Sequence, residues 1–515
     1  MYVYGGFMSK LINNFSNLMN IGLKIIMPIL IAYSVILTIG SYFLVTLYYS
    51  NKDGTSYVLL LLLSIIITLI IGLFIFYGVR LINKFYIKNS NKKIIGNILL
   101  LGLLVRLLWI CIVKTVPASD FALIWEIASN PFNGDYTAMH GTSYIARFPH
   151  LIITMLYLGF IKVIFPNPLF VVKFINVLLS VSSVYLIYLI LKEIFNEKYG
   201  LYAALIATIY PGFIMYTSVT CSENIAMPFY LLSIYFFIRV IQGNINNNYL
   251  LLCGVMLSFG NLFRMVGAVI LVAYIMYLII YKAKDKLVFS VVKVTISYGL
   301  PLILISNMLV FTNVSEYQLW SGAEPKITSI LKGTNILSLG SWNEKDAAIP
   351  EKYNYDKEKI EEAANGIIKA RLTDTPIVIV IGFYFIKYAV LWGSGDFLAY
   401  HWATLESSNT NQIADYGYAM VPGTQLLFSI MLILMYIGLY DKKKNKNYKL
   451  DLIYLIYGGF IILYLIIEKQ VRYGYIVSFS FIICALKGIE VLSIRANSKL
   501  NIEKNIILEE KNIRS

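Results

Sequence analysis

Ser119-Asp120 is a polar step just past the end of an apolar segment running from about Ile95 to Lys114, and it opens a loop without Lys or Arg until Arg147. A carboxylate there sits where a membrane meets water, placed to take a proton from an acceptor while adjoining helices hold a lipid. Seven further ionisable residues fall inside or at the edge of apolar runs: Arg106, Lys173, Glu223, Arg264, Lys387, Glu468 and Arg472. A charge in hydrocarbon costs about 2.5–3.5 kcal/mol, so each is expected to face a cavity or a partner. Glu223 follows Tyr210-Pro211, and the stretch from Thr217 to Glu223 is placed to turn at the outer surface. Arg264 closes Gly260-Asn261-Leu262-Phe263-Arg264, a break where unwound backbone can line a cavity. Arg472 and Tyr473 open the last apolar run, four residues after Glu468.

Each of these has a plainer explanation. Arg106 and Lys173 read better as snorkelling or structurally paired residues than as site residues. Glu468 and Arg472, at i,i+4, have an equally good account as a structural pair. Lys387 lies deep in its run, where a tilted helix would let it snorkel. A lone loop aspartate is more often an ordinary surface residue than a catalyst, so Asp120 depends on its context.

Composition defines the elements that must position these side chains. The chain has 515 residues, 58% hydrophobic and 14% charged, with a mean hydropathy of +0.71. Apolar runs near the ~20 residues needed to cross a bilayer fall at roughly 22–48, 57–78, 95–115, 169–192, 200–217, 224–241, 249–263, 265–281, 287–311, 374–393, 422–440, 452–468 and 472–490. The fold expected is an all-α polytopic membrane protein of about 11–14 transmembrane helices with an extracytoplasmic loop region. The first run is too long for a removed signal peptide and is expected to remain as an anchor.

A net charge of +15 argues for nucleic acid only if it is spread over one face, and here it is confined to short loops. Arg80 to Lys93 holds five basic residues, Lys282, Lys284 and Lys286 form a second group, and Lys442 to Lys449 holds five more. The positive-inside rule makes these loops cytoplasmic, together with a tail carrying Arg495, Lys499 and Lys504. Residues 394–421 have no Lys or Arg but contain Asp396, Glu406 and Asp415, which assigns them to the opposite, extracytoplasmic side. All six tryptophans, at 109, 125, 320, 342, 392 and 402, fall at or beyond the ends assigned to that side. A cell-membrane protein with an extracytoplasmic working face follows.

Cys111, Cys221, Cys253 and Cys484 lie in or beside apolar runs without CxxC spacing, and read as small buried residues. His140, His150 and His401 are too few and scattered for a zinc site. No metal or other cofactor is required.

The chain divides into an N-terminal pair with its basic loop (1–93), a core (94–311) whose first outer loop is 116–149, a long polar loop (312–373), a C-terminal membrane region (374–492) and a tail (493–515). The long loop is of a size for a lid or small subdomain, and Tyr355 to Arg371 predicts a helix within it. Parity leaves a question. With the loops at 282–286 and 442–449 both inside, the segment at 374–393 has both ends outside, so it is re-entrant or another crossing is misplaced. Residues 150–165 are laid on the outer surface beside Asp120, because a full crossing would turn Lys192 to Lys198 outward.

Arg106, then Ser119-Asp120 and a short helix ending near Ala128, then Tyr144 and Arg147-Phe148-Pro149-His150, resembles the first extracytoplasmic loop of the GT-C membrane glycosyltransferases. The similarity is greatest to the protein O-mannosyltransferase and aminoarabinose-transferase branch. Tyr210-Pro211 leading to Ser222-Glu223, then Arg264, then Arg472-Tyr473 continue it in order, over about residues 94 to 492. Trp125 stands where these enzymes often have Tyr, and no second acidic residue accompanies Asp120. The resemblance implies a polyprenyl-phosphate sugar donor, an extracytoplasmic acceptor (protein, lipid or cell-wall polymer) and inversion by one displacement. Asp120 would be the general base. Arg472, Lys387 and Arg264 would face the leaving phosphate. Glu223, Tyr473, Arg147 and Tyr144 would bind donor or acceptor, and the 312–373 loop would close over both.

Two other classes compete. A transporter or flippase of a lipid-linked sugar also uses broken helices and intramembrane charges, but usually as a repeated pair, and only the break at 260–264 is clear. A polysaccharide polymerase or ligase would place its catalysis in the large loop rather than on Asp120.

Overall fold

The computed structural model describes residues 2–50, 57–86, 91–282, 287–406, 418–441 and 448–514, with side chains described over 12–43, 59–86, 91–282, 287–406, 418–441 and 448–496. Lys284, Lys286, the lysines of 442–446, Asp415, and the side chains of Lys499 and Lys504 lie outside the described residues. All regular structure among the described residues is helical. In chain order the helices are α1 (Tyr2–Ser50), α2 (Tyr57–Phe85), α3 (Asn91–Ile112), α4 (Asp120–Ile127), α5 (Tyr144–Arg147), α6 (Ile152–Ile164), α7 (Pro168–Ile194), α8 (Glu197–Ile209), α9 (Pro211–Met215), α10 (Glu223–Ile241), α11 (Tyr249–Phe263) and α12 (Gly267–Tyr281). They continue as α13 (Leu287–Phe311), α14 (Ile327–Gly333), α15 (Glu344–Ala347), α16 (Ile349–Lys352), α17 (Lys357–Thr373), α18 (Ile377–Trp392), α19 (Ala399–Thr404), α20 (Met420–Gly438), α21 (Tyr448–Ile466) and α22 (Phe479–Arg514). Among the described residues eight helices are long and apolar enough to cross a membrane, and up to twelve spans result if each of four bent pairs counts as one. The chain is a multi-pass membrane protein.

Apolar side chains cover both the inside and the outside of the bundle, as a lipid solvent allows. Leu100, Leu104 and Leu108 on α3 are exposed, as are Val288, Ile296 and Ile303 on α13. The centre is built from α10, α12, α21 and α22, where Phe237 stacks on Tyr274 at 4.0 Å and Tyr457 meets Phe481 edge-on at 5.1 Å. Buried polar groups in this medium must be matched internally. Arg106, fully buried, donates to Ser180 Oγ at 2.8 Å and to the carbonyls of Gly102, Thr208 and Ala207 at 3.1, 3.0 and 3.1 Å. It therefore joins α3, α7 and α8, and the structural account of Arg106 holds.

The segment at 374–393 is half of a re-entrant hairpin. Lys387 on α18 contacts the last residues of α21, while Tyr388 and Trp392 face Tyr457 halfway along it. The chain reverses at Phe397 and Leu398, both in the left-handed region at φ 53° and 59°. It then returns through α19, where Ala403 O accepts from Thr115 Oγ1 at 2.6 Å and Glu406 O from Val116 N at 3.3 Å. Both arms of the hairpin thus reach the end of the bundle that carries Asp120. Asp396 fastens the turn by accepting from Leu398 N, Tyr400 N and Ser394 Oγ at 2.9–3.1 Å. The tyrosine of Tyr210-Pro211 hydrogen-bonds Gly395 O, and Tyr216 donates to Phe397 O at 2.6 Å.

The helix at 150–165 is α6, 13 residues long and about 20 Å, short of a ~30 Å hydrocarbon core. It lies against the end of α4, with Lys162 Nζ donating to Trp125 O at 2.6 Å. Gly159 permits this approach, since a Cβ there would collide with the carbonyl oxygen of Ala128. The helix thus packs against the C-terminal end of the helix that Asp120 opens. The helix predicted over Tyr355–Arg371 is α17, and Arg371 forks onto Asp346 at 2.7 Å to close the 312–373 loop on itself.

Three sequence readings are corrected. Trp392 is not at an interface but fully buried at the tip of the re-entrant hairpin. Cys111 is exposed on α3, while the other three cysteines are buried, and all four are free thiols. Glu468 does not pair with Arg472, because α21 ends at Ile466 and i,i+4 geometry ends with it. Its carboxylate instead lies 3.3 Å from Lys332 Nζ.

Candidate active site

Asp120 is the first residue of α4, an exposed carboxylate in the first turn where the helix dipole favours negative charge. Ser119 before it has φ 54° and ψ −132°, a conformation non-glycine residues rarely adopt and one held only where surrounding structure over-determines it. Ala118, nearly fully buried, and the Val116–Glu406 hydrogen bond supply that constraint. Tyr144, at the start of α5, lies close enough to Asp120 for that carboxylate's charge to act on its phenol. Burial, the Asp120 charge and Tyr473 push the Tyr144 phenol well above the ordinary tyrosine range, so it acts as a neutral hydroxyl donor.

Beside this pair lies a buried ionic cluster. Glu223, at the start of α10, has Oε1 3.5 Å from Arg472 Nη1 and 3.7 Å from Arg264 Nη2. Arg264 reaches it because α11 ends at Phe263 and the backbone becomes extended before α12 begins, the break expected from the sequence. Arg472 reaches it from the short 3-10 helix Val471–Val477 that precedes α22. Tyr473 presents its ring to both guanidiniums, at 4.5 Å from Arg264 and 5.6 Å from Arg472. Phe121 and Trp402 complete the packing of Arg472 at 4.7 and 5.3 Å, and touch each other edge-on at 5.3 Å. Among the described residues the buried Nε–H groups of Arg264 and Arg472 have no hydrogen-bond acceptor, and the buried Glu223 Oε1 has no hydrogen-bond donor. Two cations share one carboxylate, which leaves a net positive site with donors to spare. His150 stands near Arg264 and Lys326, and burial followed by those charges lowers its pKa to about 4, so the imidazole adds no charge at neutral pH.

The structure thus brings together Asp120, Tyr144, Glu223, Arg264, Arg472 and Tyr473. It does not bring Lys387 there. Lys387 Nζ donates at 2.6, 2.7 and 2.8 Å to the carbonyls of Gly333, Leu465 and Ile467, which uses all three ammonium hydrogens. Its place as a phosphate ligand is corrected to that of a tie between α18, α21 and the long loop. Arg147 is also committed elsewhere, with Nε and Nη2 donating to Glu324 Oε2 at 2.9 and 2.6 Å. Glu324 is 3.9 Å from Lys332, which continues to Glu468, so a chain of alternating charges fastens the 312–373 loop to the core beside the site. Phe121 and Trp402, which pack the key arginine, went unnoticed in the sequence. Phe121 adjoins Asp120, and Trp402 lies in the stretch devoid of basic residues, but only the return of the re-entrant hairpin makes them neighbours. Among the described residues no group of three or more His, Cys, Asp or Glu side chains converges as a metal site would.

Residues 150–311 match the family described as dolichyl-phosphate-mannose-protein mannosyltransferase. The matched stretch, 162 of the 515 residues, lies inside the span from about residue 94 to 492 over which the chain resembles the GT-C membrane glycosyltransferases. Among solved structures, the crystal structure of the Archaeoglobus fulgidus oligosaccharyltransferase in the apo form is 14% identical, with a TM-score of 0.44 over 81% of this chain and 52% of that one. The archaeal oligosaccharyltransferase AglB from Archaeoglobus fulgidus, in complex with an inhibitory peptide and a dolichol-phosphate, is 12% identical, with a TM-score of 0.31 over 79% of this chain and 56% of that one. The chain spans about half the length of these two proteins. No curated protein matches it significantly.

Proposed function

We propose that this protein transfers a sugar from a polyprenyl-phosphate donor to a hydroxyl or amine acceptor at the extracytoplasmic face of the cell membrane, with inversion at the anomeric carbon. The observation that carries this is the positive cluster of Arg264, Glu223 and Arg472 beside the exposed Asp120 carboxylate. The matched family's description, which pairs a dolichyl-phosphate-linked mannose with a protein acceptor, supports the donor class. Residues 94–311 form the catalytic core in this reading, with 374–492 contributing Arg472 and Tyr473 and the 312–373 loop covering the site.

In the reaction Asp120 takes the acceptor proton as the acceptor atom bonds to the anomeric carbon, and the bond from that carbon to the phosphate oxygen breaks with its electron pair on phosphate. Negative charge grows on the leaving phosphate, where the unpaired guanidinium N–H groups of Arg472 and Arg264 stabilise it. Glu223 spaces the two arginines and keeps the product phosphate from being held too tightly. Tyr144 orients the Asp120 carboxylate. The test is Asp120→Asn in purified protein, with transfer from a defined polyprenyl-phosphate sugar and donor binding measured separately. Turnover should fall about 10²–10⁴-fold, with donor affinity and thermal stability nearly unchanged because the side chain is exposed. Wild-type turnover would refute the assignment.

A further inference from the structure

A cavity of about 420 Å³ lies between α3 and α7, at the end of the bundle that carries Asp120. Its lining includes Ile110, Cys111, Lys114, Asn167, Phe170 and Lys173. It is separate from the cluster of Arg264, Glu223 and Arg472. Lys173 is only 6% exposed, and its ammonium makes one hydrogen bond, to Thr115 O at 2.6 Å. An ammonium carries three N–H donors, so two remain for a ligand, and none of the ion pairs among the described residues includes Lys173. Burying such a charge without acceptors is costly, which argues that an anion completes the site. Two other features carry the same sign. Lys114 lies on the opposing wall, and the first turn of the 27-residue α7, capped by Asn167 through Phe170 N, directs the positive end of its dipole at the same place.

Beside this cationic lining the neighbouring faces of α3 and α7 are apolar and turn outward. Leu108 on α3, and Phe170 and Phe174 on α7, are 60%, 44% and 38% exposed, as lipid-facing side chains are. A cationic pocket at the level of the interface, above an apolar cleft between two spanning helices, fits a phosphate that carries acyl chains. We propose that this cavity binds the phosphate of an anionic membrane phospholipid, whose chains lie along α3 and α7. The bound lipid would brace residues 113–119, the segment that ends at Asp120, through Lys173 and Thr115.

Cys111 provides a direct probe, being the one exposed cysteine among the four. Its alkylation by N-ethylmaleimide would be followed in nanodiscs of phosphatidylcholine, with and without phosphatidylglycerol, and separately with added polyprenyl phosphate. Phosphatidylglycerol should slow the reaction. Lys173→Met and Lys114→Gln should each weaken that protection about fivefold. Lys114 is exposed, so its variant should keep the fold even if Lys173→Met does not. Equal alkylation in both lipids, or protection unchanged in both variants, would overturn the proposal. Protection by polyprenyl phosphate but not by phosphatidylglycerol would overturn the assigned occupant in favour of the substrate lipid.

Discussion

Replacing Glu223 by Gln removes one charge and almost no volume, and it separates the electrostatic role of the cluster from its shape. The carboxylate lies 3.5 and 3.7 Å from the two guanidiniums. At an effective dielectric of about 20, each contact is worth roughly 4.5–5 kcal/mol before desolvation is charged against it. Losing one member of a buried ion pair has a net cost of about 3–5 kcal/mol, so the unliganded variant should unfold at a clearly lower temperature than wild type. A phosphate bound between the arginines would no longer face a neighbouring carboxylate, a repulsion of about 3 kcal/mol at about 5 Å in the same dielectric. Polyprenyl phosphate should therefore bind the variant up to about 100-fold more tightly, and its stabilisation of the variant should exceed that of wild type. Turnover should fall as product release slows. Thermal unfolding and calorimetric titration, each with and without polyprenyl phosphate, measure the effect. Equal ligand stabilisation of both proteins would show that the arginines do not hold the phosphate.

Three further outcomes follow from named contacts. Trp402→Ala removes one aromatic face from Arg472 and should weaken donor affinity about 3- to 20-fold, with Trp402→Phe recovering most of it; equal loss in both would assign Trp402 a different role. Lys387→Met leaves three buried carbonyls without their donor and should cost about 3 kcal/mol in stability while polyprenyl-phosphate affinity per folded molecule stays constant; loss of binding at full stability would restore Lys387 to the site. In a background lacking the native cysteines, Ser408→Cys should label from outside, while Asn445→Cys should stay protected until the membrane is permeabilised, and the opposite pattern would invert the working face.

The multi-pass helical architecture was legible in the sequence because hydropathy and charge act locally along a chain in lipid. Apolar runs of spanning length, basic loops, the break at Arg264 and the helix at 357–373 all report on nearest neighbours. Asp120, Glu223, Arg264 and Arg472 also stood out by sequence alone, since charges beside hydrocarbon are costly and few. The partners those charges take are another matter. Arg472 is four residues from Glu468, yet it meets Glu223, which is 249 residues away, because a helix end breaks the local periodicity that would have paired the near neighbours. Lys387 looked like a free cation until the hairpin and the long loop delivered three carbonyls to it. Trp402 became a wall of the site only when the re-entrant segment turned back at Phe397. Periodicity along one helix is written in the sequence, whereas the meeting of side chains from α4, α10, α19 and the turn before α22 depends on how helices pack around a break, and that only the tertiary structure decides.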